Sequence, residues 1–315
     1  MPASVAWDHQ VRSDKVGAPP RWVARLLGQP CLRIPSEATA LIERGEFALV
    51  FARLPQAVEL TALELQRHTA ALYESVARTL AKSRAPHPIR FWNFIPQLND
   101  PVSDAMDRYM VFSAGRFAAF SRWFGSPQTF ADRVPAASGV GHEGDDLLVW
   151  CLAASAPGTC VENPWQLPGF NYSAQYGPLP PCFSRAMIIH GYSHSRTLER
   201  HVLVSGTASI RGEDTQCDGQ LLRQTHIALQ NLAIVVKAAR ESPETTTRVN
   251  GDSQMWLDRY QHIRTYHVKQ DDRSILERLL IPRFSNAIDI EWVHAPLCRR
   301  DLLVEIEGVA TLGDG

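Results

Sequence analysis

The pattern of apolar and polar positions in the first half of the chain predicts helices placed between strands. Residues 47–51 are all apolar and predict a buried strand. Thr61 and Glu64 have the spacing of a capping box, which marks the start of a helix. Short, mostly apolar segments at 89–95 and 147–152 predict two further strands, with a second helix between them. The predicted inner faces are Leu65, Leu72, Val76 and Leu80 for the first helix, and Tyr109, Ser113, Phe117, Phe120 and Phe124 for the second.

The second half of the chain repeats this order of elements. A strand is predicted at 202–209, followed by a helix that Asp218 could cap. The inner face of that helix has apolar residues at helical spacing. These residues are Leu222, Leu229, Leu232, Val236 and Ala239. The elements predicted after this helix are a strand at 263–268, a helix at 275–280, and strands at 288–293 and 302–310.

The repeated order predicts the fold class. Two successive halves that run strand, helix, strand, helix, strand indicate an α+β protein of two related modules, each a mixed β-sheet with two helices packed on one face. This inference rests on element order, because the halves show no evident sequence identity. We expect an N-terminal module in residues 1–160, beginning with an irregular lead-in, and a C-terminal module in residues 161–315.

The segment 162–181 stands apart from this pattern because it holds five prolines and four aromatic residues. It is too irregular for a helix or strand and too apolar for a solvated linker. Long structureless loops inside compact domains are often functional. We therefore expect a packed loop that forms one wall of a pocket.

Charge and composition indicate a small-molecule partner. Thirty-two Lys and Arg balance thirty-three Asp and Glu, without a long run of either sign, which argues against a nucleic-acid or anionic-membrane surface. No apolar stretch approaches the roughly 20 residues of a membrane helix, and the N-terminus lacks the apolar segment of a signal peptide. We expect a cytoplasmic protein.

The cysteines and histidines give no signature of a metal site. Six cysteines are scattered without a C-x-x-C pair and are expected to be reduced thiols. His190 and His194 lie four apart, but no H-E-x-x-H glutamate stands between them, so we expect no metal. Cys298 precedes Arg299 and Arg300, which could lower its pKa, although an inert core or loop cysteine is the simpler interpretation.

The last predicted strand carries two carboxylates on one face. Because side chains alternate along a strand, Glu305 and Glu307 share a face with Leu303 and Val309. A solvated outer face is the ordinary explanation. The apolar neighbours favour another, in which a carboxyl beside a second carboxylate has a raised pKa and can act as a general acid.

Other residues could bind a ligand. Tyr172, Tyr176 and Arg185 could hold a carboxylate through a guanidinium fork and phenol hydroxyls. In the alternative, the tyrosines pack in the interior and Arg185 pairs with a surface acid. Residues 205–209 end a strand with small side chains, which permits either close approach of a ligand or a tight turn.

Short strings from about residue 88 to the C-terminus match one family in order. The strings are RFWNFIP at 90–96, PAAS at 135–138, ENP at 162–164, QYGP at 175–178 leading to FSRA at 183–186, VSGTAS at 204–209 with QT at 224–225 and Asn231, and DLLVEIEG at 301–308. Together they resemble the chorismatases. The resemblance implies two modules with the RidA-like, chorismate-mutase-like fold, the second carrying the active site. It also implies cleavage of the enolpyruvyl ether of chorismate to pyruvate, without metal or organic cofactor.

The resemblance also implies roles for individual residues. Glu305 matches the family's proposed acid, and Cys298, seven positions earlier, matches members that form 3-hydroxybenzoate. Arg185 matches a substrate-binding arginine, and we expect Tyr172, Tyr176 and Thr207 to contact substrate as well. Family members commonly carry an arginine soon after the tyrosine that matches Tyr266, whereas this chain has His267, Val268 and Lys269 there. The residue that binds the second substrate carboxylate therefore stays open among Arg264, Arg283 and Lys269.

Several outcomes remain open from the sequence. The product could be 3-hydroxybenzoate, also with 4-hydroxybenzoate, or a dihydroxycyclohexadiene carboxylate from simple hydrolysis. Outside catalysis of this kind, the chain could be a RidA-like protein that binds a small carboxylate, or an imine deaminase like single-module relatives. Those relatives resemble one another in forming trimers with sites between subunits. A two-module chain could form such an interface internally, and we expect a monomer.

Overall fold

The protein is described by a computed structural model that covers residues 16–103, 105–190, 200–241, 253–284, 286–287 and 289–313. The start of the predicted lead-in, His194, most of the polar loop after residue 241 and Ile288 lie outside the described residues. The helices are α1 (Arg21–Leu26), α2 (Ala62–Leu80), α3 (Arg108–Phe124), α4 (Leu221–Arg240), α5 (Ser253–Leu257) and α6 (Arg273–Leu280). The strands are β1 (Thr39–Arg44), β2 (Phe47–Leu54), β3 (His87–Pro96), β4 (Pro101–Ser103), β5 (Met106–Asp107), β6 (Ala136–His142), β7 (Leu147–Ala154), β8 (Thr159–Val161), β9 (Ala186–His190), β10 (Arg200–Ala208), β11 (Ile210–Arg211), β12 (Asp214–Thr215), β13 (Tyr260–His267), β14 (Asp289–His294) and β15 (Val304–Thr311).

The first half forms a five-stranded sheet in the order β1-β2-β7-β3-β6, with α2 and α3 packed together on one face. Thr61 caps α2 through the predicted capping box: it accepts from the Glu64 backbone, and the Glu64 carboxylate accepts from the Thr61 backbone. Asp107 caps α3 by accepting a hydrogen bond from the Met110 N–H at 2.9 Å. The pairing of β3 with β6 is parallel and the other pairings are antiparallel.

The second half forms a six-stranded sheet in the order β14-β13-β15-β10-β9-β8, with α4, α5 and α6 on its outer face. Only the β13–β14 pairing within this described sheet is parallel. Strand β10 has an irregular register between Val204 and Thr207, opposite β15. This bulge lies at the small residues that the sequence analysis noted, and it turns Gly206 towards the first half of the chain.

The faces of the two sheets that carry no helices pack against each other. Trp92 and Trp150 from the first sheet share a core with Leu203, Tyr266 and Val309 from the second. A hydrogen bond also crosses the junction. The hydroxyl of Ser205 accepts from the Ala137 N–H at 2.9 Å. The architecture is therefore helix, sheet, sheet, helix, with the carboxylate face of β15 pointing into the junction.

The α+β class is confirmed, and the predicted helices and strands occur in the predicted order. Strands β1, β6, β8 and β9 of the two large sheets were not predicted. Asp218 does not cap α4: the N-cap is Gln220, without a side-chain hydrogen bond. Cys217 and Gly219 have positive φ angles, so the turn they form separates Asp218 from the first helical N–H groups. Leu222, predicted on the inner face, is exposed.

The strand pairing also bears on the predicted boundary between residues 160 and 161. Along the chain, β7 is the last strand of the first sheet and ends at Ala154. The next strand, β8 (Thr159–Val161), pairs with β9 in the second sheet. The predicted boundary thus falls inside β8. The division into two independently folding modules stays a prediction.

Candidate active site

A cavity of about 280 Å³ lies where the two halves meet. Tyr109, Arg116 and Ser138 line it from the first half, and Arg185 and Glu305 line it from the second. The sequence analysis placed the site in residues 161–315. The cavity extends that prediction, because seven of its 21 lining residues come from β5, α3 and β6 of the first half.

Glu305 is the second residue of β15, paired with Ala208 on one side and Tyr266 on the other. The residue is only 4% exposed, yet its carboxyl lines the cavity and makes no hydrogen bond with the described residues. The carboxyl packs against the backbone of Gly206, since a Cβ atom there would lie 2.0 Å from Glu305 Oε1. The bulge in β10 and the missing side chain of Gly206 together make room for this carboxyl.

The environment keeps the Glu305 carboxyl protonated at neutral pH. Burial raises the pKa of Glu305 to about 8, with repulsion from Glu307 adding to the rise and Arg90 opposing it. A neutral carboxylic acid without hydrogen-bond partners that faces a cavity is suited to give up its proton to a bound molecule. The solvated-face explanation for these carboxylates is wrong.

Glu307 is bound more tightly than the sequence suggested. Arg90 Nη2 donates to Glu307 Oε2 at 2.7 Å, and Trp92 Nε1 donates to Oε1 at 2.9 Å. Ser138 Oγ donates to the same carboxylate and accepts from the Gly206 N–H at 3.0 Å. Three donors from the first sheet therefore hold the Glu307 carboxyl in place, behind the cavity.

Cys298 lies beside the acid, on the cavity wall. Burial raises the pKa of its thiol to about 12, with Glu305 contributing and Arg299 only partly opposing. Arg299 lowers the pKa of this thiol, as the sequence suggested, but loss of solvation outweighs it. The thiol is neutral, and it shapes the cavity rather than acting as a thiolate.

Arg185 and Tyr172 form a second wall, as the sequence predicted for the proline-rich segment. Arg185 Nη2 donates to the Tyr172 hydroxyl at 2.7 Å and to the Leu167 carbonyl at 2.7 Å. Arg185 is 5% exposed, and its Nε has no hydrogen-bond partner among the residues that the structure describes. The alternative that Arg185 pairs with a surface acid is wrong. The neighbouring carboxyl is the buried Glu162, whose pKa burial raises to about 7 although Arg185 opposes the rise.

Tyr176 stands nearer the mouth of the cavity. Its hydroxyl donates to Asp214 Oδ1 at 3.2 Å, and the guanidinium carbon of Arg299 lies 3.8 Å from the centre of its ring. Thr207 does not line the cavity. Gly206 and Ala208 do, and Thr207 between them points to the other face, where its hydroxyl donates to the Ser205 carbonyl at 2.8 Å.

None of the three candidates for the second carboxylate partner lines the cavity. Arg264 is bound to Glu291 at 2.6 Å within the second sheet, and Lys269 lies at a separate surface depression. Arg283 is exposed and contacts Gln254. Sequence reasoning missed Arg116, which is buried in the cavity wall. Its place on α3, three residues after Ser113 and four before Phe120, is an inner-face position that could have identified it.

Two searches of the described part of the chain bear on other kinds of site. Within it, no three His, Cys, Asp or Glu side chains cluster so that they could hold a metal ion. No helix in the described ranges is both long and apolar enough to span a bilayer.

Comparison with known proteins agrees with this geometry. A family model described as "Chorismatase FkbO/Hyg5-like, N-terminal" matches residues 28–153. A 3-hydroxybenzoate synthase from Streptomyces hygroscopicus is 31% identical over 84% of this chain and 74% of its own length. A chorismatase from Streptomyces rapamycinicus is 31% identical over 76% of this chain and 69% of its own length.

A solved structure extends the match to the fold. A crystal structure of a chorismatase superposes with a TM-score of 0.72 at 27% identity, covering 87% of this chain and 78% of the other. This superposition shows that the chain shares the fold of that chorismatase. On sequence identity and coverage, and with the same fold, this chain belongs to the chorismatase family.

Proposed function

We propose that this protein cleaves the enolpyruvyl ether of chorismate and releases pyruvate and 3-hydroxybenzoate. The observation that carries the proposal is the buried Glu305 carboxyl, which faces the cavity and makes no hydrogen bond with the described residues. Burial raises the pKa of this carboxyl to about 8. Its relatives include a protein named 3-hydroxybenzoate synthase. The atoms of the two products sum to those of chorismate, so the reaction needs no oxidant, reductant or group donor.

The first step is transfer of the Glu305 proton to the methylene carbon of the enol ether. The double bond supplies the electron pair for the new C–H bond, and the ether oxygen shares the positive charge that develops on the neighbouring carbon. The ionised Glu305 then stabilises this oxocarbenium ion electrostatically in a site of low dielectric. The step uses the acid form of the carboxyl, which its raised pKa provides.

The fate of the cation decides the product. The ring hydroxyl can add to the cation and release its proton. The ring carbon that bears the ether then loses its proton. This elimination breaks the C–O bond at the neighbouring carbon, which carried the hydroxyl, and the ring becomes aromatic. The remaining adduct collapses to pyruvate and a phenolate, which takes up a proton. Water in place of the ring hydroxyl gives the diene instead, so the space beside Cys298 bears on the outcome.

The charges on the wall fit a substrate with two carboxylates. Four arginines line the cavity against two aspartates, Asp107 and Asp301, and burial raises the pKa of Glu305 to about 8. The arginines are Arg116, Arg185, Arg299 and Arg300. We assign one substrate carboxylate to Arg185, whose guanidinium is already oriented by Tyr172 and by the Leu167 carbonyl. Monomeric state and cytoplasmic location stay predictions from the sequence.

The direct test is incubation of the purified chain with chorismate, with pyruvate followed by a coupled assay and ring products separated by chromatography. We expect pyruvate and 3-hydroxybenzoate in equal amounts. Glu305→Gln should lower kcat by at least about 100-fold, the scale for loss of a general acid. Glu37→Gln, on the exposed surface, is the matched control and should retain full activity.

Each other result has a defined meaning. Binding of chorismate without pyruvate release would favour the small-carboxylate binding protein. Pyruvate with a dihydroxycyclohexadiene carboxylate would favour the hydrolase, and 4-hydroxybenzoate beside the 3-isomer would add a second product. Wild-type turnover by the Gln variant would remove Glu305 from the mechanism.

A further inference from the structure

A second large depression lies on the helical face of the second half, apart from the active-site cavity. It runs between the start of α4 and α6 and has a volume of about 750 Å³. Its apolar lining consists of Leu221, Leu222, Ile275, Leu279 and Leu303, and we call it the α4–α6 groove. Leu222 is 61% exposed there. Contiguous apolar side chains at a surface, unlike single ones, mark sites of interaction.

Three cations stand around this apolar floor. Arg223 lies on α4, Lys269 precedes α6, and Arg278 lies on α6. All three are exposed, and none has an acidic partner within 4.0 Å among the described residues. Asp272 is the only acid in the described lining of the groove. The groove therefore combines an apolar floor with an excess of positive charge.

The two arginines at the groove also lack partners on their own helices. On α6, Arg273 Nε lies 2.9 Å from Glu277 Oε1, an i,i+4 pair of the kind that stabilises a solvated helix surface. Neither Arg223 nor Arg278 has an acid three or four residues away in the sequence, on either side. These two charges are therefore left available to a partner.

The wall of the groove is held in place by Gln224, which is fully buried. Its Oε1 accepts from the Leu303 N–H at 2.8 Å, and its Nε2 donates to the Asp301 carbonyl at 2.7 Å and to the Cys217 carbonyl at 3.3 Å. These bonds join the start of α4 to the segment that leads into β15. A groove fixed in this way needs little rearrangement to receive an occupant, which lowers the cost of binding.

We propose that the α4–α6 groove is a docking site for an acidic amphipathic helix of another protein. Apolar residues at i, i+3, i+4 and i+7 of such a helix would cover the leucine floor. Its carboxylates would face Arg223, Lys269 and Arg278. A second copy of this chain fits less well, because a two-fold dimer sets the same surface against itself and would oppose the cations of both copies. The docking site is independent of the proposed function.

The test uses a designed peptide as the probe. The peptide is about 16 residues long, has leucines at helical spacing on one face and glutamates on the other, and carries an N-terminal fluorescein. A second peptide has the same composition in an order that scatters the leucines around the helix. A third has lysines in place of the glutamates. Binding of each peptide to the full chain is measured by fluorescence anisotropy.

We expect the first peptide to bind with a Kd on the order of 10 to 100 μM, and the other two at least about tenfold more weakly. Its affinity should fall by about threefold or more as salt rises from about 0.05 M to about 0.3 M, because exposed charges are screened. Binding that does not saturate, or equal binding of the peptide with scattered leucines, would overturn the proposal.

Two substitutions place the peptide on the groove. Leu222→Glu puts a charge into the apolar floor and should weaken the first peptide by about tenfold or more. Arg223→Glu reverses one cation at the third residue of α4, where a carboxylate suits the helix N-terminus, and should weaken it by about threefold or more. Thermal unfolding checks that both variants are folded.

Matched controls for these variants lie on α2. Leu63 is 65% exposed, close to the value for Leu222, and Arg67 is also exposed. Leu63→Glu and Arg67→Glu should leave the affinity within about twofold of wild type. If the control pair weakens the peptide as much as the groove pair, or if the groove pair has no effect, the peptide binds elsewhere and the groove is not the site.

Sedimentation velocity of the chain without peptide tests the other occupant. We expect a monomer across about 1 to 100 μM. Self-association that Leu222→Glu abolishes would show that a second copy fills the groove, and the proposal would be wrong. Since these measurements use no chorismate, their failure leaves the proposed function standing. Absence of pyruvate release would in turn leave the docking site standing.

Discussion

The sharpest consequence of the structure concerns how activity depends on pH. Burial and the nearby Glu307 raise the pKa of Glu305 from 4.5 to about 8. The protonated form is the active one, so kcat/KM should be high below this pKa and fall as pH rises through about 8. A glutamate with an ordinary pKa would already have lost its proton far below neutral pH.

The size of the effect follows from the two pKa values. With a pKa of about 8, about 90% of Glu305 is protonated at pH 7, whereas a pKa of 4.5 would leave only about 0.3%. The environment thus supplies roughly 300-fold in the concentration of active enzyme at pH 7. This gain exists only while the carboxyl stays out of water.

Glu307→Gln tests the cause of the shift. Glu307 lies two residues along the strand from Glu305, roughly 7 Å away, and at an effective dielectric constant near 20 their repulsion is about 2 kcal/mol. Removing this charge, while Arg90 stays, should move the midpoint of the profile down by about 1 to 2 pH units. The variant should also lose about 3 kcal/mol of stability, because Arg90 loses its charged partner.

The assay is kcat/KM for pyruvate release from pH 5 to pH 10, in wild type and in Glu307→Gln. A second measurement uses stability. Because the folded pKa of Glu305 is raised, its contribution is full below about pH 4.5 and is lost as pH rises through about 8. Glu305→Gln should therefore gain in free energy of unfolding relative to wild type across that window. A rate that rises with pH, or a midpoint unmoved by Glu307→Gln, would refute the reasoning.

Three further substitutions probe the cavity. Arg185→Lys should lower kcat/KM although charge is retained, because the lysine cannot donate as a planar fork; unchanged kinetics in a folded variant would return Arg185 to a packing role. Cys298→Ala opens room for roughly one water and should shift the product ratio from hydroxybenzoate towards the diene at equal pyruvate yield; an unchanged ratio would show that Cys298 does not control the outcome. Gly206→Ala places a Cβ 2.0 Å from Glu305 Oε1, so it should displace the acid and lower kcat/KM by about 100-fold, with ligand affinity as the control.

The elements that the sequence predicted are those with a local pattern of their own. Thr61 and Glu64 form a capping box, and β7 is a continuous apolar segment buried on both faces. Strand β6 was missed because its sequence, AASGVGH, has almost no large apolar side chains. Those small residues are what the junction requires: a Cβ on Gly141 would lie 2.9 Å from Pro296. The close approach of the halves thus removes the hydrophobic pattern that would reveal the strand.

The same limit applies to the site. Glu305 was found because its alternation with Leu302, Val304 and Ile306 is local to one strand. Arg116 was missed because an arginine on a helix ordinarily lies in solvent, and nothing within α3 tells that its inner face meets a cavity. Arg90 was noticed only as part of a matching string, although it holds Glu307 from the other sheet. Contacts across the junction have no local signature.

The ionisation of the acid therefore depends on both halves of the chain. The second half supplies the Glu305 carboxyl, while β3 and β6 of the first half bury it and fix the charge of Glu307 through Arg90, Trp92 and Ser138. A carboxyl on an isolated second sheet would face water and return to an ordinary pKa. The interface between the two sheets lies within one chain. Because both sides of this interface are covalently linked and differ in sequence, one side can specialise in the acid and the other in setting its pKa.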